Sequence, residues 1–194
     1  MQIILASSSP YRKKLLARLG VNFDALSPDI DETPQPGEQP DALALRLAHE
    51  KANRIAEQRQ GALIIASDQV AAVETEILSK PGSEQRARQQ LAKCNGKHVN
   101  FYTSLVLHNT SSNTRQEALV PFAVTFRQLS EAQLADYVKR DQPLDCAGSF
   151  KWESLGIALF AAMSGSDVTA LEGLPLISLV KMLENEGLDV LTAT

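Results

Sequence analysis

Residues 62–66, Ala-Leu-Ile-Ile-Ala, form a run that belongs in a hydrophobic core, and it ends at once on Ser67-Asp68-Gln69. A short apolar run closed by polar residues reads as a buried strand, which puts Asp68 at the strand's C-terminal tip. A carboxylate there has two readings. It can cap the turn that follows, or it can stand in a binding site, because open α/β sheets place their ligand sites beyond the carboxyl ends of strands.

The surrounding elements decide the fold class. Gln2–Ala6 reads as another buried strand, and SSSPYRKKLLARLG follows as a helix with Ser9 as N-cap, Pro10 at its first position and Gly20 closing it. Leu15, Leu16 and Leu19 give that helix one apolar face, and VNFDALS (21–27) reads as a further strand. PDIDETPQPGEQP (28–40) carries Asp29, Asp31, Glu32 and Glu38 among its prolines and reads as a loop at the edge of a site. A long helix over 41–59 has Leu43, Leu47 and Ile55 on one side, and SEQRARQQLAKCNG makes another that ends near Gly96.

Val99, Phe101, Leu105 and Leu107 alternate with His98, Asn100, Ser104 and His108, and Phe122, Val124 and Phe126 alternate likewise. The pair predicts a long antiparallel hairpin around residues 110–114. A short helix opens at Ser130, and a last one begins at Pro175 with Leu176, Leu179, Val180 and Leu183 at helical spacing. Strands mixed with helices predict an α/β protein with a mixed central sheet, built as one domain over residues 1–194.

Composition narrows the function. A net charge of −4 gives no general attraction to nucleic acid or to an anionic membrane, so any bound anion needs a local basic cluster. The longest apolar runs are strand-sized, which predicts no membrane span. MQIILASSSP has no basic stretch before its short apolar run, so a cytoplasmic protein is expected, with Cys94 and Cys146 as reduced thiols. P-loop and dinucleotide-binding glycine patterns are absent, as is the serine-hydrolase G-x-S-x-G. His49-Glu50 lacks the second histidine of a zinc-protease helix.

The segment SSSPYRKK is unusual because Arg12, Lys13 and Lys14 crowd the first turn of a helix, where acids are preferred. That placement suits an anion held by backbone N–H groups, Ser hydroxyls and the cations, although a solvated basic face has the same composition. Lys51 in mid-helix and Lys80 in the turn LSKPGS are by default exposed lysines.

As an ordered set, ILASSSPYRKKLL, DIDET, AHEKA, IIASDQV, SKP, CAGSF and GLPL resemble the Maf-like family of nucleotide pyrophosphatases, and they cover nearly the whole chain. The resemblance implies two lobes around a deep cleft on a long mixed β-sheet, often as a homodimer. It implies hydrolysis of a nucleoside triphosphate to monophosphate and diphosphate with a divalent metal, Mg²⁺ or Mn²⁺. Matched motif by motif, it makes Ser7, Arg12, Lys13, Lys51 and Lys80 phosphate-binding residues. Glu32 becomes a metal partner, and Asp68 becomes the catalytic residue, acting either as general base or as metal ligand. A dTTP or UTP pyrophosphatase, another noncanonical-nucleotide pyrophosphatase and a nucleotide-binding regulator of cell division are the alternatives.

Three positions point to a branch of the family. Tyr11, Gln69 and Glu153 resemble the specificity positions of its 7-methyl-GTP pyrophosphatases, with Tyr11 where that branch is expected to have Trp. Methylation at N7 makes guanine cationic, which an aromatic face rewards by about 0.5–2 kcal/mol. The N1–H and N2–H donors of guanine match a carboxylate, and uracil and thymine lack that pair. Ser79 in SKP, Trp152 and Ser154 depart from the branch pattern.

Overall fold

The computed structural model describes residues 1–192, which form a mixed α/β fold. The strands, in chain order, are β1 (Gln2–Ala6), β2 (Asp24–Leu26), β3 (Ala62–Val73), β4 (Glu76–Leu78), β5 (His98–Asn109), β6 (Thr114–Phe126) and β7 (Phe160–Gly165). The helices are α1 (Pro10–Ala17), α2 (Pro40–Ala56), α3 (Glu84–Cys94), α4 (Glu131–Asp141) and α5 (Leu176–Asn185). The strands order as β2-β1-β3-β5-β6-β7, with β4 beside β3. β1 is parallel to both β2 and β3, whereas β4 and β7 run antiparallel to their neighbours, so the sheet is mixed. Among the described residues, no helix is long and apolar enough to cross a membrane.

The chain divides into two compact units. One comprises Met1–Gln69, Thr103–Val120 and the segment from Asp167 onward, and the other comprises Val70–Tyr102 and Pro121–Ser166.

In the first unit the alternation of side chains along each strand builds two cores. Ile3, Leu5, Leu63, Ile65, Leu105 and Leu107 pack with Leu15 and Leu16 of α1 and Leu179 and Leu183 of α5. Their neighbours Ile4, Ala6, Ala62, Ile64, Ala66 and Val106 pack instead with Ala48, Ala52 and Ile55 of α2. Because successive strand residues point to opposite faces, these strands are apolar throughout and need helices on both sides. The expected helix α1 starts as read, with the Ser9 side chain accepting from Arg12 N, and ends at Ala17 rather than running to Gly20. VNFDALS contributes only the three residues of β2.

The second unit is built on aromatic packing. Phe101, Phe126, Phe150 and Phe160 meet edge to face, with centroids 4.9–5.8 Å apart. Ser130 caps α4 in a reciprocal capping box with Gln133. Cys94 and Cys146 are both free thiols.

One expectation is corrected by the fold. β3 does not stop at Asp68 but continues to Val73, so Asp68 lies inside a 12-residue strand rather than at its tip. Both Ser104 and His108 are buried, because β5 from Thr103 on is covered on both faces.

Candidate active site

Within the first unit, three segments converge on one buried ammonium. Lys51 of α2 is only 4% exposed and Asp68 of β3 only 6%. The Lys51 Nζ lies 2.5 Å from Asp68 Oδ1 and 2.6 Å from Glu32 Oε1. A lysine is almost never buried unless it is paired, and this one bridges two carboxylates. The default of an exposed mid-helix lysine is therefore wrong for Lys51.

Glu32 reaches that position because its loop is tied down on both sides. Asp31 Oδ1 accepts from Thr33 N at 2.9 Å and from Thr33 Oγ1 at 2.6 Å, closing a local turn around Glu32. Those two bonds lower the Asp31 pKa. Arg46, five residues before Lys51 on α2, grips the Glu38 carboxylate at 2.6 and 2.8 Å and the Thr33 carbonyl at 3.1 Å. The acid-rich loop is thus clamped to the helix that carries the lysine.

Asp68 is held by backbone contacts. Its N–H donates to Ser104 Oγ at 3.2 Å, and that hydroxyl lies 2.6 Å from the Ala44 carbonyl of α2. Next to it, Ser67 Oγ lies 2.6 Å from Ser104 O and 2.8 Å from Gly173 O. The polar triplet of β3 can stay inside a sheet because each member finds a partner there. Ser104 was invisible to sequence reading, since a lone serine in an alternating strand looks like a surface residue.

Arg12 comes in from α1. Its Nε donates to Gly173 O at 2.7 Å. Burial lowers the guanidinium's pKa, and the Asp68 and Glu32 carboxylates oppose that effect. Ser7 is buried, and its Oγ accepts from Ser9 N at 3.1 Å. Arg12 N is taken by Ser9 Oγ at 3.4 Å. Two of the N–H groups that an anion at this helix start could have used are therefore already satisfied. Side chains must do most of the holding.

The other expected residues divide. Tyr11 is half-buried, and Lys13 is exposed on α1. Gln69 turns its amide nitrogen onto the Ala170 and Leu171 carbonyls at 2.7 and 3.1 Å and toward Thr103 Oγ1 at 3.2 Å. Lys80 and Glu153 belong to the second unit, where both are exposed. The turn bearing Glu153 is pinned to α4: Lys151 N donates to Tyr137 Oη at 3.0 Å, and Ser154 Oγ bonds Asp141 Oδ1.

A second use of the Asp-x-Thr turn went unread. Asp167 and Thr169 repeat the pattern of Asp31 and Thr33, with Thr169 N at 2.9 Å and Thr169 Oγ1 at 2.6 Å from Asp167 Oδ1. The repeated spacing was the available signal.

Comparison with known proteins places the chain in a family. A relative from Nitrosococcus oceani named 7-methyl-GTP pyrophosphatase is 51% identical over 189 residues, covering 97% of this chain and 95% of its own. One of the same name from Nitrosospira multiformis is 52% identical, covering 97% and 96%. A third, from Pseudomonas aeruginosa, is 50% identical, covering 97% and 98%. Among solved structures, the Ham1 protein of Staphylococcus aureus shares the fold at a TM-score of 0.55 and 14% identity, with 96% of this chain and all of that chain covered. The family model described as Maf-like protein matches residues 2–186, and the chain belongs to that family.

Proposed function

We propose that this protein is a nucleotide pyrophosphatase that hydrolyses 7-methyl-GTP to 7-methyl-GMP and diphosphate. The observation that carries the reading is the Lys51 ammonium held between Glu32 and Asp68, with the Arg12 guanidinium feeling the charge of the same acids. Two cations beside two carboxylates suit a polyanion that arrives with its own counter-cation. The name shared by relatives at about half identity over almost the whole chain supplies the substrate.

The acids fit a divalent cation. Both are hard oxygen donors that reach one nitrogen, and they come from separately anchored segments. Among the described residues, no group of three or more His, Cys, Asp or Glu converges. Glu32 and Asp68 would therefore be the protein ligands, with phosphate oxygens and water as the others, which is how Mg²⁺ and Mn²⁺ are commonly held. Such an ion would supply charge neutralisation and polarisation of a phosphoryl oxygen.

In this reading Asp68 orients or deprotonates the water that attacks the α-phosphorus. Lys51 turns from the carboxylates toward phosphate oxygens, Arg12 meets them with its terminal amino groups, and the family resemblance adds Ser7, Lys13 and Lys80 to the stabilisation of developing charge. By the family resemblance, Tyr11 is assigned to stacking on the cationic base, Glu153 to accepting its N1–H and N2–H, and Gln69 to supporting specificity. A cytoplasmic setting and a homodimer belong to the same proposal and rest on the family resemblance.

The test is pyrophosphate release across 7-methyl-GTP, GTP, dTTP and UTP, with EDTA and with Mg²⁺ or Mn²⁺ restored. Metal-dependent turnover led by 7-methyl-GTP is expected. A lead for dTTP or UTP would move the protein to another branch, and turnover undiminished in EDTA would remove the metal from the proposal.

A further inference from the structure

The residues that fix Arg12 are themselves fixed by a buried acid outside the catalytic cluster. Asp167 is 3% exposed. Its Oδ1 takes Thr169 N and Thr169 Oγ1, and its Oδ2 takes Ile177 N of α5 at 2.8 Å. Thr169 Oγ1 in turn accepts from Leu176 N at 2.9 Å. One carboxylate therefore closes both ends of the segment 168–176 onto itself.

That segment presents carbonyls to the strand and helix that bear the proposed catalytic groups. Gly173 O receives Arg12 Nε at 2.7 Å and lies 2.8 Å from Ser67 Oγ, next to Asp68. Ala170 O receives Gln69 Nε2 at 2.7 Å and Thr103 Oγ1 at 2.8 Å. Gly173 has φ +96°, and a Cβ there would sit 3.2 Å from Arg12 Nε and 3.3 Å from one of its terminal nitrogens. Only glycine gives both the backbone conformation and the close approach.

We propose that Asp167 and Gly173 are positioning residues that aim the Arg12 guanidinium: Asp167 shapes the 168–176 segment, and the Gly173 carbonyl takes Arg12 Nε. Binding Nε fixes the plane of a rigid fork and leaves its two terminal amino groups on the outer edge, the arrangement that suits bidentate contact with a phosphate. This rests on the pyrophosphatase reading, in which Arg12 holds substrate phosphate.

The experiment is a double-mutant cycle on kcat/KM for 7-methyl-GTP, using wild type, Asp167→Ala, Arg12→Ala and the double variant, with folded fraction measured by circular dichroism. Arg12→Ala is expected to lose about 100-fold. Asp167→Ala is expected to lose about 10-fold per folded molecule alone and less than about 2-fold in the Arg12→Ala background, because its effect passes through Arg12. Asp167→Asn, which keeps one acceptor, should recover part of the loss. If Asp167→Ala does not fold, Gly173→Ala takes its place in the cycle with the same expected non-additivity.

Equal losses in both backgrounds, or unchanged activity per folded molecule, would overturn the inference while leaving Arg12 in its role. Wild-type activity in Arg12→Ala would overturn the phosphate reading of Arg12 and the inference with it.

Discussion

Replacing Lys51 with methionine removes the cation shared by Glu32 and Asp68 while keeping an unbranched side chain of similar length. Lys51 and Asp68 are both buried, 2.5 Å apart, whereas the Glu32 side chain is 53% exposed. Removing one partner of a buried pair costs about 3–5 kcal/mol because the other charge is stranded. The pair to exposed Glu32 is worth about 0–1 kcal/mol. Since the Arg12 guanidinium also feels the charge of Asp68, the lower edge, about 3 kcal/mol, is the expected destabilisation. For a chain of this size that corresponds to a fall in Tm of about 6–12 °C.

Adding Asp68→Asn to Lys51→Met removes the stranded charge and should recover about 1–2 kcal/mol. The assay is calorimetric unfolding of wild type, both single variants and the double variant near neutral pH. A Lys51→Met protein that melts within about 1 °C of wild type, or a double variant whose losses simply add, would refute the idea that Lys51 compensates buried charge.

Three further outcomes are expected. Burial, followed by the nearby Glu76, pushes the Cys94 thiol up to about 12, so a thiol reagent at mildly alkaline pH should modify Cys146 first, and Cys94 only on unfolding. Glu38 is held down to about 2, chiefly by its hydrogen bond to Arg46 and then by Gln35 N. Its contribution to stability should be complete above its ordinary value of 4.5 and vanish as pH falls toward 2, so the Tm gap between wild type and Glu38→Gln should close over that window. Tyr11→Ala should erode the preference for 7-methyl-GTP over GTP by up to about 2 kcal/mol, and Glu153→Gln should cost about 1–3 kcal/mol in discrimination against dTTP and UTP. Steady-state kcat/KM ratios check both.

Local chemistry was the most legible part of this chain. Ser9 and Pro10 mark the start of α1, and Ser130 marks α4, because capping needs only residues a few positions apart. The long hairpin showed in its alternation. Harder to see was the course of β3 through Asp68, since Ser67-Asp68-Gln69 looks like a strand end unless one knows that Ser104, Lys51 and Thr103 wait beside it. Those partners lie 17 to 37 residues away in sequence. Residues 147–165 are assigned no element from sequence, and they fold as short helical turns leading into the edge strand β7.

At the site, family motifs named Arg12, Glu32, Lys51 and Asp68, and the structure joins Glu32, Lys51 and Asp68 in direct contact, with Arg12 held at the Gly173 carbonyl. Spacing alone made Lys51 a surface residue, because its burial depends on two carboxylates that only the fold delivers. Asp167 escaped because its partners are backbone N–H groups, which leave little trace in sequence beyond a threonine two positions on.

Hydrolysis of 7-methyl-GTP in isotopically heavy water, with the products separated and weighed by mass spectrometry, tests the proposed chemistry most directly. Attack on the α-phosphorus places the heavy oxygen in 7-methyl-GMP and leaves diphosphate unlabelled, with turnover at least about 100-fold lower in Asp68→Asn. Label in diphosphate, stepwise release of orthophosphate, or undiminished turnover in a folded Asp68→Asn protein would contradict it.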